Sequence, residues 1–245
     1  MLQRCRYIPG AEASESSGLV TAFTNVVPAS SYCFFSRAID SVADVKSRLD
    51  LVVETSARAR ASWSLGIVGD WVSANPRFAK TLAARGFERR AVVYGMWSDE
   101  LAARTHDTPR IEFRCVSNDD DLALFAAINN VAHGANANAG PAIYAHYLRA
   151  PHSNAWVGFA EDEPVSCAAA FPTAHGVYLG GVATVAHQRG RGYGEAASRH
   201  ALEHAMRDTG LRRGVLFASR DRTSFYERMG FALGCSLWLY RQAAR

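Results

Sequence analysis

The 245-residue sequence predicts an α/β protein of the α+β kind: a mixed, mostly antiparallel sheet flanked by helices and divided between two lobes. Three observations carry this. Short segments rich in Val, Phe and Tyr alternate with segments whose apolar residues recur at helical spacing. Hairpin-length links, Glu161-Asp162-Glu163 and Thr173-Ala174-His175-Gly176, join successive strand-like segments. Each half also contains a helix that ends in Gly-Phe and feeds a strand, Arg85-Gly86-Phe87 and Met229-Gly230-Phe231. A polar stretch, Arg104 to Pro109, closes on proline and marks the boundary between a lobe at 1–109 and one at 110–245.

In the first lobe, residues 19–38 read as a strand pair broken at Pro28. Residues 41–55 carry helical spacing at Val42, Val45, Leu49 and Val52 or Val53, and 63–68 read as a strand. Asn75-Pro76 opens a helix that runs through Leu82 to Gly86, with proline in its favoured first turn, and 87–97 follow as a strand. In the second lobe, 111–116 is a strand and 119–130 a helix begun by acidic residues. Residues 156–160, 164–172 and 177–185 form a meander. A helix follows Gly194 to about Asp208, then a strand at 214–218, a short helix at 223–229 and a final strand at 231–240.

Composition excludes several classes. A 49% hydrophobic content supplies a large core. A net charge of +4 with scattered Lys and Arg argues against a nucleic-acid partner. Five cysteines without a C-x-x-C imply neither a disulfide framework nor a zinc knuckle. The opening residues lack the apolar core of a secretory signal, and no run approaches the roughly 20 apolar residues that span a bilayer. The expectation is a cytoplasmic protein without a membrane partner, as a monomer or homodimer.

The chemistry concentrates at residues 182–205, VATVAHQRGRGYGEAASRHALEHA. A strand that turns through glycines into a helix gathers backbone N–H groups and the positive helix end into one concavity suited to phosphate oxygens. Gly190, Gly192 and Gly194 admit positive φ and leave room for a ligand against the main chain, and Arg189 and Arg191 add charge. An ordinary glycine-rich connection is the plainer alternative. Gly192-Tyr193-Gly194-Glu195-Ala196-Ala197 also fits the G-x-G-x-x-A dinucleotide fingerprint, with Arg220 available for a 2′-phosphate. That reading requires βαβ units after the turn, where only one strand, a short helix and a terminal strand remain. No Lys-Ser or Lys-Thr follows the glycines, which excludes a Walker A loop.

Arg189-x-x-Gly192-x-Gly194 after a strand resembles the acetyl-CoA pyrophosphate loop of the GNAT superfamily of N-acetyltransferases, and Tyr226-Glu227-Arg228-Met229-Gly230-Phe231 resembles that superfamily's Y-x-x-x-G-F segment. In this order, after a meander, the two motifs cover about residues 111–240. The resemblance implies the GNAT acyl-CoA fold, acetyl-CoA as cofactor, and a pyrophosphate held by Arg189, Gly190, Arg191, Gly192, Tyr193 and Gly194. It implies that the splayed strand end, Ala183-Thr184-Val185, offers backbone groups to pantetheine and to the thioester carbonyl. Ser219 stands where relatives often carry an asparagine that touches the cofactor. The first lobe resembles a worn second copy without the loop and is not expected to bind CoA. The implied function is transfer of an acetyl group to a primary amine of a small molecule or peptide by direct attack in a ternary complex. A non-catalytic acyl-CoA-binding module and an NADP-binding protein are the alternatives.

Such a transfer needs a neutral amine, a stabilised oxyanion and a leaving thiolate. Tyr226 is the expected acid, although a tyrosine at pKa about 10 yields its proton to a thiolate at about 8.5 only uphill, by about 2 kcal/mol. Hydrogen bonding is then its alternative role, and plain packing beside Phe225 and Phe231 a further one. Relatives with a glutamate twelve residues before the tyrosine use it as base; this chain has Gly214 there. His175, His187 and Glu112 are candidates beside a water relay, so the base is unassigned. His200-Ala201-Leu202-Glu203-His204 matches the H-x-x-E-H pattern of inverted zinc peptidases, yet a helical wheel places Arg199, His200, Glu203, His204 and Arg207 on a solvated face, so no metal is expected. Residues 131–156 read as an irregular segment with a short helix at 141–149 carrying Tyr144, His146 and Tyr147; the resemblance implies that it lies over the acceptor pocket, and a plain connector is the alternative.

Overall fold

The computed structural model describes residues 11–24, 31–57, 63–107, 109–132, 144 and 151–243. The chain forms two compact units interleaved along the sequence: residues 1–95, 218–223 and 233–245 in one, 96–217 and 224–232 in the other.

In unit 1, β1 (Ala11–Ser16), β2 (Leu19–Thr24) and β3 (Ser31–Phe35) make an antiparallel run. Helix α1 (Val42–Ser56) then crosses over to β4 (Trp63–Val68), which pairs parallel with β3. Ser41 caps α1, its hydroxyl accepting from the Asp44 amide at 3.1 Å. Two helices follow, α2 (Gly69–Ser73) and α3 (Pro76–Ala84); α3 has Asn75 as its cap and proline in its first turn. Strand β5 (Phe87–Ser98) and the C-terminal strand β11 (Ala232–Gln242) complete the order β1-β2-β3-β4-β11-β5. The core holds Leu49, Leu65, Ile67, Leu82 and Tyr240, so the last strand of the chain closes a core built mainly by the first 95 residues.

In unit 2, β6 (Glu112–Cys115) leads to α4 (Asp119–Ala132), whose first turn is acidic as the macrodipole favours. The meander β7 (Asn154–Ala160), β8 (Glu163–Thr173) and β9 (Gly176–Thr184) follows. Glu161 and Asp162 both adopt positive φ at the β7–β8 turn, the geometry of a type I′ hairpin. Then come α5 (Tyr193–Thr209), β10 (Gly214–Ser219) and the short α6 (Thr223–Arg228). The strand order is β10-β9-β8-β7-β6, antiparallel except for the β9–β10 pair, which excludes a doubly wound nucleotide domain.

The structure adds β1 and α2 to the expected elements. Strand β1, Ala-Glu-Ala-Ser-Glu-Ser, has no apolar alternation, and its pairing with β2 is a main-chain property that side chains do not announce. Pro28 and the helix expected at 141–149, apart from Tyr144, lie outside the described residues. No helix of the described residues is long and apolar enough to cross a membrane.

Candidate functional site

The β9–β10 pair is parallel only over Gly214↔Val177 and Val215↔Tyr178, after which β9 runs on to Thr184 without β10. A gap therefore opens between two strands of one sheet, at the end where the chain leaves β9 for α5. In unit 1 the matching parallel pair, β3–β4, stays in register over four successive residues, Ser31 to Phe34 against Trp63 to Gly66.

Beyond Thr184 the chain makes a single 3-10 turn over Ala186–Gln188 and reaches the glycines. Gly190 and Gly192 take φ of +79° and +81°, left-handed values that cost an L-residue about 1–2 kcal/mol. A Cβ on Gly190 would meet no atom within 4 Å, so the main chain there is open to an approaching group. Gly192 is the N-cap of α5, and no side chain caps the helix. The first amide returned to the helix is that of Ala196, which donates to the Gly192 carbonyl at 3.0 Å; the N–H groups of Tyr193, Gly194 and Glu195 have no helical acceptor. Gly194 is spaced for contact: a Cβ there would stand 3.0 Å from Thr184 Oγ1 and 3.9 Å from the Phe225 ring. Arg189 donates from Nε to the Thr184 carbonyl at 3.2 Å, which fixes its stem beside the turn, and Arg191 is exposed. The one acid in the first turn, Glu195, is drawn aside by the buried Arg199 at 2.8 Å.

The strand end presents fewer groups than expected. The Val185 amide donates to the Val165 carbonyl at 3.0 Å, and the Ala183 amide is directed at the buried Cys167 sulfur. The ladder is broken one step earlier. Ala169 pairs with Gly180 and Cys167 with Ala183, so Gly181 and Val182 together face the single residue Ala168. Gly181 has φ +60°, the mark of a glycine bulge, which takes main-chain groups out of the ladder beside the gap. Sequence reasoning passed over this bulge; the Gly180-Gly181 pair inside an otherwise apolar strand is the signal that would have found it. Below it, Cys167 donates to the Gly181 carbonyl at 3.4 Å, and burial raises its thiol to about 12. Asn129 reaches the same sulfur at 3.9 Å while its side-chain oxygen accepts from the Tyr144 hydroxyl at 2.9 Å.

Tyr226 lies half-buried in α6, edge-on to Phe225 at 4.8 Å and to Phe231 at 6.0 Å. Phe225 reaches Gly194, so α6 packs on the start of α5 and brings the tyrosine's helix beside the glycine turn. Gly230, φ +95°, ends this segment; a Cβ there would stand 2.7 Å from the Ala102 amide. In unit 1 the residue four before the corresponding Gly86 is Leu82, fully buried and without a hydroxyl. Ser219 belongs to unit 1, and its hydroxyl donates to Asp221 at 2.5 Å. Arg220, also in unit 1, lies over the Tyr94 ring at 5.4 Å.

The base candidates sit apart. His187 pairs with Glu163 at 2.7 Å on the surface, which holds the Glu163 carboxyl below its ordinary range. His175 and Glu112 are exposed. The α5 face expected to be solvated is so only in part: Glu203 and Arg207 are exposed and His204 is half-buried, but the helix lies across β7, β8 and β9 and covers more of that face than a narrow stripe would. Arg199 is 4% exposed, and His200 stacks on Phe113 at 4.1 Å and edge-on to Trp156 at 4.4 Å. Desolvation lowers the His200 pKa to about 4, with the charges of His204 and Arg207 adding to it.

Residues 133–231 match the family model described as the acetyltransferase (GNAT) family. In structure the chain is similar to a GCN5-related N-acetyltransferase from Kribbella flavida, with 16% identity, TM-score 0.74, and coverage of 99% of this chain and 95% of that one. It is also similar to a tandem GNAT protein from the clavulanic acid biosynthesis pathway, with 11% identity, TM-score 0.63, and 99% and 87% coverage. A third similar structure is a GCN5-related N-acetyltransferase from Sphaerobacter thermophilus, with 15% identity, TM-score 0.63, and 91% and 76% coverage. No curated protein matches the chain.

Proposed function

From the match of residues 133–231 to the GNAT family model, we propose that the protein transfers the acetyl group of acetyl-CoA to a primary amine of a small molecule or peptide, with both substrates bound. The observation that carries the proposal is the uncapped, left-handed glycine start of α5 between Arg189 and Arg191, at the open end of the β9–β10 pair. Its residues fit a diphosphate: three helical amides lack acceptors, the Gly190 backbone is open, and Glu195 is neutralised by Arg199.

Bound there, acetyl-CoA supplies an activated thioester. The chain's own residues do the rest. Arg189, Arg191 and the amides of 193–195 hold the diphosphate, and the glycine turn lets it touch the main chain. The bulge at Gly181-Val182 frees main-chain groups at the gap, suited to the carbonyl oxygen that gains charge as the amine attacks. The Tyr226 hydroxyl is assigned to the departing sulfur. Since full proton transfer is uphill by about 2 kcal/mol on ordinary pKa values, a hydrogen bond is its principal contribution. The amine loses its proton to bulk water or a water chain, because His187 is tied to Glu163 and His175 and Glu112 lie at the surface.

The test is direct. Acetyl-CoA should raise the melting temperature where NADPH does not, and free thiol should appear when a panel of amines is added. A shift without thiol release from any amine would reduce the protein to an acyl-CoA-binding module. A shift with NADPH alone would overturn the assignment.

A further inference from the structure

Unit 1 carries a feature that acetyl transfer does not use. Helices α1 and α3 enclose an open cleft of about 500 Å³ lined by Val42, Lys46, Arg77, Lys80, Thr81, Ala84 and Arg85. Arg77, Lys80, Thr81 and Ala84 share one face of α3, and Val42 and Lys46 lie one turn apart on α1. Four cationic side chains spread over 40 residues of sequence thus converge on one concavity.

The charge there is not compensated. Arg85 pairs with Asp50, whereas Lys46, Arg77 and Lys80 form no ion pair with a described residue, leaving a local excess of three positive charges in a chain whose net charge is +4. Two further acids beside the start of α1 are engaged, Asp40 with Arg37, and Asp44 with Arg37 and the buried Arg48. Helix α3 contains no acidic residue and places Arg77 in its first turn, where the macrodipole disfavours a cation. An anion between the helices would offset both the clustered charge and the cation at the helix start. The floor of Val42 and Ala84, with the apolar stems of the lysines, leaves space for an uncharged body attached to the anion.

We propose that this cleft binds a small polyphosphorylated molecule, with Lys46, Arg77 and Lys80 as its phosphate contacts, at a site separate from the glycine turn before α5. The shared chemistry is a chain of phosphates, supplied either as free polyphosphate or as a nucleotide.

The experiment is calorimetric titration of the full chain with inorganic tripolyphosphate at low salt, repeated with ATP and with orthophosphate. Because the turn at 189–194 can also take phosphates, the R189A/R191A chain is titrated in parallel, and thermal melts verify that every variant folds. Tripolyphosphate should bind the R189A/R191A chain at one site, and K46A/K80A or R77A should weaken that binding at least tenfold. Tighter binding of ATP assigns a nucleotide, and equal binding assigns the phosphate chain alone; both support the site. Binding that vanishes in R189A/R191A and survives in K46A/K80A overturns the proposal. So does an equal response to orthophosphate at matched ionic strength, which is screening only. Neither outcome bears on acetyl-CoA, whose thermal shift is read separately.

Discussion

In the proposed transfer, single side chains of the second unit divide the work between binding and chemistry. Arg189 is held beside the glycine turn by the Thr184 carbonyl, and a charge-assisted contact to phosphate contributes about 1.5–3 kcal/mol. Arg189→Ala should therefore weaken acetyl-CoA binding by about 10- to 100-fold, measured as the ligand concentration that half-saturates the thermal shift. Tyr226→Phe retains both ring contacts, so its melting temperature should stay close to that of the parent while kcat falls by about tenfold or more. Unchanged turnover would remove the hydroxyl from the chemistry. His200 carries a pH signature instead. Its pKa is about 4 in the fold against about 6.5 in the unfolded chain, so the unfolded state binds the extra proton between those values. Stability should fall as pH drops from about 6.5 to about 4. His200→Phe, which preserves the stack on Phe113 and Trp156, should flatten that part of a melting-temperature profile.

At the scale of elements, the two parallel crossovers show what distinguishes the turn proposed to bind acetyl-CoA from a structural one. Between β9 and α5 the chain leaves amides uncapped. Between β3 and α1 it fills the same place with side chains: Arg48, 1% exposed, donates to the carbonyls of Arg37 and Ala38 at 2.8 Å each and to Asp44 at 2.6 Å. Replacing it with an apolar residue strands two carbonyls and leaves Asp44 with Arg37 as its one arginine partner. Arg48→Met should cost about 3–5 kcal/mol by urea denaturation, while Ser41→Ala, which removes one cap, should cost about 1 kcal/mol. The helix ends were readable from residue types, with Ser41, Asn75-Pro76 and the Gly-Phe pairs all standing there. The Gly-Phe echo has a plain cause: Gly86 and Gly230 are left-handed helix terminators, and Phe87 and Phe231 are the core residues that follow. Strand β1 was unreadable because its small and polar residues bury no stripe, and its place rests on main-chain bonds to β2.

For the molecule as a whole, the units exchange sequence. Strand β11 comes last in the chain yet pairs with β4, Leu237 with Val68 through Tyr240 with Leu65. Residues 1–109 expressed alone should give no cooperative melt, because β4 has lost this neighbour and the core has lost Tyr240. Fusing residues 232–243 to them by a flexible linker should restore a transition, followed by circular dichroism. Local sequence by itself determined the helices other than α2, the hairpins of the meander and the arginine-glycine turn, since each depends on groups a few residues apart. Only the tertiary structure decided that β9 and β10 part after two pairs, that His200 on α5 packs half-buried against Phe113 and Trp156, and that Lys46 meets Arg77 and Lys80 across a cleft. Those features join strands or helices that are separate along the chain, or depend on what packs over a helix. Their formation rests on burial and strand register, which no short stretch of residues encodes.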